Sequence, residues 1–322
     1  MKYKILNITL LLILVFGLTG CDLLKGKTGN INKMIDEAEI LNWKDVHSTI
    51  LGNKAKAEDY ENKLYIYTAK VYSIEEDYTQ LEYNDPIQAY LDKEVLKTLE
   101  SGDIITVVGT LKDTTSFPKL KNAVKLDDKT IKDRFIMAIT EKSGSSAKNM
   151  TYSNYKVDSK THLITSYETK GASSGTHKLK YDKNKNLIED KIESALYGTE
   201  TITYTYNKDN TVATESETKT KNGKTENGNT WTYTYEKDDK DRVIKKVGVN
   251  TTSADKYTMT YTYEYDDKNN VIKETQTSPR SSYVIDYEYD NFNNKVKEIS
   301  YNTNKPYSKT TITNTYSIIA KK

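Results

Sequence analysis

Tyr257-Thr258-Met259-Thr260-Tyr261-Thr262-Tyr263-Glu264-Tyr265, followed by Asp266-Asp267-Lys268-Asn269-Asn270 and then Val271, decides the fold. Apolar or aromatic residues take every odd position up to Tyr265, and Thr or Glu every even one. A period of two marks a strand with one wet face, because successive side chains point to opposite sides. The Asp/Asn run reads as a turn, since these side chains cap local N–H groups and tolerate positive φ. Val271 opens a return strand carrying Lys and Glu. One stretch therefore spells a β-hairpin.

The same grammar recurs. Alternating strands lead in at Ile202–Tyr206, Trp231–Tyr235 and Tyr283–Tyr289, and Asp182-Lys183-Asn184-Lys185-Asn186-Leu187 repeats the turn. Anchor tyrosines fall at Tyr155, Tyr181, Tyr206, Tyr235, Tyr265, Tyr289 and Tyr316, spaced 24 to 30 residues apart. Loose periods of this size mark a repeated supersecondary unit. Tyr181-Asp182 through Leu187 and Tyr265-Asp266 through Val271 resemble the YD repeat of Rhs-type surface and toxin-delivery proteins, Tyr-Asp-x-x-Gly-Asn/Arg-Leu, with Lys185 and Asn269 in place of the turn Gly. The resemblance spans about 150–322 and is degenerate: Asn207 or Glu236 replaces the Asp in two units, and Lys156 and Ser317 stand there in the first and last. It implies a long antiparallel sheet of hairpins, and seven units do not support a closed toxin cocoon.

Composition agrees with a mainly β chain. Of 322 residues only 36% are hydrophobic, but 27 are Tyr, whose ring buries while its hydroxyl stays wet, and 19 of these follow residue 150. Forty-eight basic against 46 acidic residues leave a net charge of +2, which removes the whole-chain electrostatic argument for nucleic acid.

The single Cys excludes an intrachain disulfide framework and a multi-Cys zinc site. It sits at Cys21, behind a basic start (Lys2, Lys4) and an apolar run, Ile5–Leu18, too short to span a bilayer. Leu18-Thr19-Gly20-Cys21 resembles the bacterial lipobox, which implies cleavage before Cys21 and a diacylglyceryl group on its sulfur. Residues 1–20 then form a lipoprotein signal peptide and 21–33 a lipidated tether. The expected location is extracytoplasmic, anchored to the membrane.

Residues 34–138 read as a helix followed by a small β-barrel. Ile31, Met34, Ile35, Ala38 and Leu41 recur at helical spacing, and Asn42 with Asp45 starts a second helical turn. Strands are expected at Lys63–Tyr72, Thr79–Tyr83, Ile87–Leu91, Ile104–Leu111 and Leu120–Leu126, with a short helix at Lys93–Leu99. Asn53 to Lys63 and Gly102-Asp103-Ile104-Ile105-Thr106-Val107-Val108-Gly109 resemble motifs of the OB-fold domains of the tRNA_anti-like group found in exported proteins. That family often has a Gly where this chain has Ala69-Lys70-Val71. Tyr65, Tyr67, Tyr72, Tyr83 and Tyr90 could stack on a ligand or fill the barrel. Residues 139–150 read as a Ser/Gly-rich linker, and 151–322 as the Tyr-rich repeat domain.

No catalytic constellation is present: His47, His162 and His177 lack metal-ligand spacing, and no nucleophile elbow or phosphate loop occurs. Asp182, Asn184 and Asn186, or Asp238, Asp239 and Asp241, have calcium-ligand chemistry but no EF-hand Gly and Glu, so turn chemistry explains them. No cofactor and no metal is expected. The expected function is a non-enzymatic binding or adhesive module for envelope glycans or surface proteins, with Tyr204, Tyr206, Tyr233, Tyr235, Tyr263, Tyr265, Tyr287 and Tyr289 as its binding rows. The alternatives are an envelope spacer, with those rings as a thin core, and a polysaccharide hydrolase using sheet carboxylates.

Overall fold

The computed structural model describes residues 31–50, 54–82, 86–114, 117–144, 149–171, 174–252 and 256–322. The signal segment, Cys21 and Tyr83 lie outside them. The chain is mainly β and divides into two compact units, Met1–Ile131 and Lys132–Lys322.

In the first unit, helix α1 covers 31–37, so the last tether residues, 31–33, are helical. The single helical face expected from Ile31 to Leu41 is interrupted by a two-residue strand, β1 (Glu39–Ile40), before α2 (Trp43–Ile50) and α3 (Lys54–Glu58). The spacing nonetheless found the buried positions: Ile35, Ala38 and Leu41 are all in the interior. Strands β2 (Leu64–Ile74), β3 (Thr79–Leu81), β4 (Ile87–Ala89), β5 (Ile104–Lys112) and β6 (Lys119–Lys125) follow, with α4 (Lys93–Leu96) between β4 and β5. They close in the order β2-β3-β4-β6-β5-β2, and only the β4–β6 contact within the ring is parallel.

Two local features bend this small barrel. A bulge between Val71 and Ser73 curves β2 at the place where the sequence lacks a Gly. At Gly109, a Cβ would lie 3.1 Å from the Cβ of Ala123, so the absent side chain lets β5 and β6 approach. Tyr65 and Tyr67 are 3% and 8% exposed within the hydrophobic core, whereas Tyr72 is 46% exposed on the opposite phase. Tyr65 and Tyr67 therefore fill the barrel and form no stacking platform.

The second unit begins where α5 (Asp128–Arg134) runs into β7 (Phe135–Gly144). Residues 139–144, expected as linker, thus belong to a strand: small Ser and Thr side chains suit a sheet face as well as a loop. Thirteen further strands follow in antiparallel order: β8 (Met150–Val157), β9 (Ile164–Gly171), β10 (Gly175–Tyr181), β11 (Leu187–Ser194), β12 (Gly198–Tyr206), β13 (Val212–Lys221), β14 (Lys224–Lys237), β15 (Val243–Asn250), β16 (Thr258–Tyr265), β17 (Val271–Thr277), β18 (Ser282–Tyr289), β19 (Lys295–Asn302) and β20 (Lys309–Lys321). Each pairs with its sequence neighbours, and β20 pairs with β7. The expected sheet of hairpins is therefore a closed 14-stranded barrel, and closure removes both free edges.

Four turns at one rim share one geometry. Asp182, Asp238, Asp266 and Asp290 each accept, on one carboxylate oxygen, two backbone N–H groups two and four residues on. Lys185, Asp241, Asn269 and Asn293, third after those Asp residues, hold φ of 68°, 62°, 65° and 63°. These are the positions where the YD motif has its Gly.

Candidate functional site: the inner wall of the large barrel

Alternation decides which residues see the interior. On β12, Thr203 and Thr205 are exposed while Tyr204 and Tyr206 are half-buried; β14 and β16 repeat this with Thr232, Thr234, Thr262 and Glu264 outside. The outer wall carries directly opposed pairs: Lys180–Glu189 at 2.8 Å, Glu236–Lys245 at 2.6 Å, Glu264–Lys273 at 2.9 Å and Glu288–Lys297 at 2.7 Å. At the equivalent position of the remaining unit, Thr205 and Thr214 share a 2.6 Å hydroxyl contact. The tyrosine rows expected as a binding surface therefore line the inside of the barrel.

The inner tyrosines form two sets. One braces the wall. Tyr181, Tyr206, Tyr235, Tyr265 and Tyr289 each donate their hydroxyl, at 2.6–2.9 Å, to the carbonyl of the residue opening the preceding return strand: Ile164, Leu187, Val212, Val243 and Val271. Tyr155 makes the same kind of bond to Ile139. Of the eight expected binding tyrosines, Tyr206, Tyr235, Tyr265 and Tyr289 thus serve as struts between repeats.

The second set, Tyr204, Tyr233, Tyr263 and Tyr287, lies one step deeper along the strands and meets a belt of charge. Three residues after each return strand opens stand Asp190, Glu215, Lys246, Glu274 and Glu298 on β11, β13, β15, β17 and β19. Tyr204 is in register with Glu215, Tyr263 with Glu274 and Tyr287 with Glu298. Tyr233 donates to Glu215 Oε2 at 3.3 Å and Tyr287 to Glu274 Oε2 at 2.9 Å. The Lys246 ammonium lies 4.0 Å from the ring centre of Tyr261 and 4.9 Å from that of Tyr233. Lys295 lies 3.7 Å from that of Tyr287. His177 bridges to Asp190 at 3.1 Å and stacks on Tyr167 at 4.4 Å.

Electrostatics follow from this. Burial and then Glu215 push the Tyr204 hydroxyl up to about 12, and burial holds Tyr233, Tyr263 and Tyr287 well above the ordinary phenol range. Burial also lowers Lys246, against the pull of Glu274 and Glu215. The sequence shows that the return strands carry Lys and Glu but not which of them face inward. The recurring offset of three from the strand opening was the signal that separates inner Lys246 from outer Lys245.

Most inner side chains are half-buried, so the interior is not a packed core. A regular 14-stranded barrel has a backbone diameter of about 28 Å, wider than the eight-stranded barrels that side chains fill. Such a wall offers ring faces for stacking and carboxylates and ammonium groups for hydrogen bonds. Among the described residues, no group of three or more His, Cys, Asp or Glu is arranged to hold a metal ion, and the turn carboxylates of Asp182 and Asp238 accept N–H groups of their own turns.

No protein-family model and no curated protein matches the chain. Solved structures similar to it include two porin-like proteins. That of Bacteroides vulgatus ATCC 8482 has 12% identity over 55% of this chain and 97% of its own, with a TM-score of 0.34. That of Bacteroides uniformis ATCC 8492 has 13% identity over 57% and 95%, with a TM-score of 0.31. The TcdB2-TccC3-Cdc42 structure matches 76% of this chain and 11% of its own at 13% identity, with a TM-score of 0.25.

Proposed function

We propose that the chain is an extracytoplasmic lipoprotein, held to the membrane through Cys21, whose large barrel binds a ligand in its tyrosine-lined bore without acting as an enzyme. One observation carries this reading: partly accessible rings (Tyr204, Tyr233 and Tyr263, with Tyr287 buried at 9% exposure) and charged groups face inward while the outer wall is polar. A barrel inserted in lipid has the reverse arrangement, an apolar band about 25 Å tall on the outside. Here Lys180, Glu236, Glu264 and Glu288 and the Thr combs of β12 and β16 occupy that surface, and a Lys at mid-bilayer costs about 2–4 kcal/mol. The barrel stands in water, and its attachment is the lipid.

The ligand class is a glycan strand or an extended protein segment, because ring faces alternating with carboxylates match C–H faces and hydroxyl or amide edges. The turn geometry supports reading the repeats as YD-like, and the strand order with α4 before β5 supports an OB-like first unit. The test is binding of envelope glycans and envelope fractions by residues 22–322, compared with a chain carrying Tyr204→Ala, Tyr233→Ala, Tyr263→Ala and Tyr287→Ala. Loss of binding with the fold retained is expected. Equal binding by both chains would overturn the stacking role. The spacer reading is favoured by the hydroxyl struts, and it predicts that neither chain binds.

A further inference from the structure

The two rims of the large barrel differ in chemistry. One holds the Asp/Asn turns, and both chain ends of the barrel, Phe135 and Lys321, lie there. The other carries only loops. Five consecutive loops along that second rim join β11–β12, β13–β14, β15–β16, β17–β18 and β19–β20.

With the residues that flank them, these loops supply Lys221, Lys224, Lys256, Arg280, Lys305 and Lys309, all exposed. Their described residues, 194–198, 221–224, 250–252, 256–257, 278–283 and 302–309, include no Asp or Glu, and the sequence of the five loops contains one acid, Asp255, against these six cations. Lys224 does meet a carboxylate one step inward, Glu226 at 2.7 Å. Large apolar side chains are interleaved with the cations: Leu196 is 69% exposed, Tyr197 63%, Tyr257 37%, Tyr283 44% and Tyr307 84%. The opposite rim is mixed, with Asp182, Asp238, Asp239, Asp266 and Asp267 beside Lys183, Lys240 and Lys268.

We infer that this arc of cations and rings docks on the surface of a bilayer containing anionic phospholipid. Charge selects an anionic surface, since each Lys or Arg near such a surface adds attraction that fades within a Debye length. The rings and Leu196 select lipid over a soluble polyanion. Tyr places an apolar body at headgroup depth with its hydroxyl in water, whereas a hydrated polymer offers Leu196 nothing to bury against. The arc is built on loop tips, which suits a flat partner.

The test is co-sedimentation of residues 22–322 with phosphatidylcholine vesicles, with and without phosphatidylglycerol. This chain retains every described residue and lacks Cys21, so an acyl anchor contributes nothing to the result. One variant carries Lys221→Gln, Lys224→Gln, Arg280→Gln and Lys305→Gln; a second carries Leu196→Ser, Tyr197→Ser and Tyr307→Ser. A control carries Lys183→Gln, Lys185→Gln and Lys208→Gln on the opposite rim. Partition to phosphatidylglycerol vesicles is expected to fall at least about tenfold in the first variant and to weaken in the second, with the control unchanged. Circular dichroism confirms that each is folded. Equal partition to the two vesicle types, an unchanged first variant, or capture by soluble polyphosphate without vesicle binding would each overturn the inference.

Discussion

Lys185 holds φ at 68° with its N–H donated to the Asp182 carbonyl, a conformation that glycine adopts freely and a branched side chain resists. Lys185→Gly is therefore expected to raise stability by about 0.5–1 kcal/mol, and Lys185→Val to lower it by about 1–2 kcal/mol, in chemical denaturation. The sequence shows that the turn Gly is missing but not that Lys keeps its conformation. The Asp182 carboxylate, anchoring Asn184 and Asn186, enforces it. The tyrosine struts offer a second test at this scale. Tyr265→Phe keeps the ring and leaves the Val243 carbonyl without its 2.6 Å donor, so a loss of about 0.5–1.5 kcal/mol is expected. Inner-wall tyrosine hydroxyls, Tyr235 among the struts and Tyr204 beside the charged belt, make the fold sensitive to alkali. Tyr204 and Tyr235 are raised to about 12, chiefly by burial, so the fold favours the neutral phenol. That contribution is complete below the unfolded value of 10 and is lost as pH rises through about 12. Ionisation of Tyr204 and Tyr235, followed as the absorbance lost in Tyr204→Phe and Tyr235→Phe variants, should coincide with the change in circular dichroism in this window; their ionisation near 10 in an intact fold would contradict it.

The hairpin is the element in which sequence and structure agree most closely. Period-two alternation located the strands 202–206, 231–235 and 283–289 because a wet face and a ring face leave a strong signal. It left open which face meets water, since Tyr and Thr both suit a strand surface. Gly248 shows how closely the two strands of one repeat fit. A Cβ there would lie 2.8 Å from Cε1 of Tyr233, so the ring covers the bare backbone of β15. Gly248→Val should push Tyr233 off β15 and break its contact with Glu215. The expected result is lower thermal stability together with loss of the ligand binding proposed for the bore. A variant that melts like the parent and binds like it would show that Tyr233 has room to move.

Closure belongs to the whole molecule and is what the repeat period could not disclose. A period of about 27 residues fixes a hairpin, but whether seven hairpins form an open sheet or a barrel depends on tilt and stagger between strands. The structure resolves it through β20, which pairs with β19 on one side and with β7 on the other, linking Lys321 to Phe135 and Ile312 to Gly144. Near this seam are some of the few buried apolar side chains among the described residues of the unit, Phe135, Ile136, Ala138 and Ile318. Deleting residues 309–322 would leave β19 and β7 as long unpaired edges and uncover that cluster, a template for association with other chains. The expected outcome is loss of the cooperative melt and aggregation, read by light scattering and size-exclusion chromatography. Excising one internal hairpin, 198–223, removes two strands but leaves β20 to pair with β7, so a smaller soluble barrel should survive. If the chain lacking 309–322 stays monomeric with an unchanged melt, the sheet is stable open and the seam does not hold the barrel together.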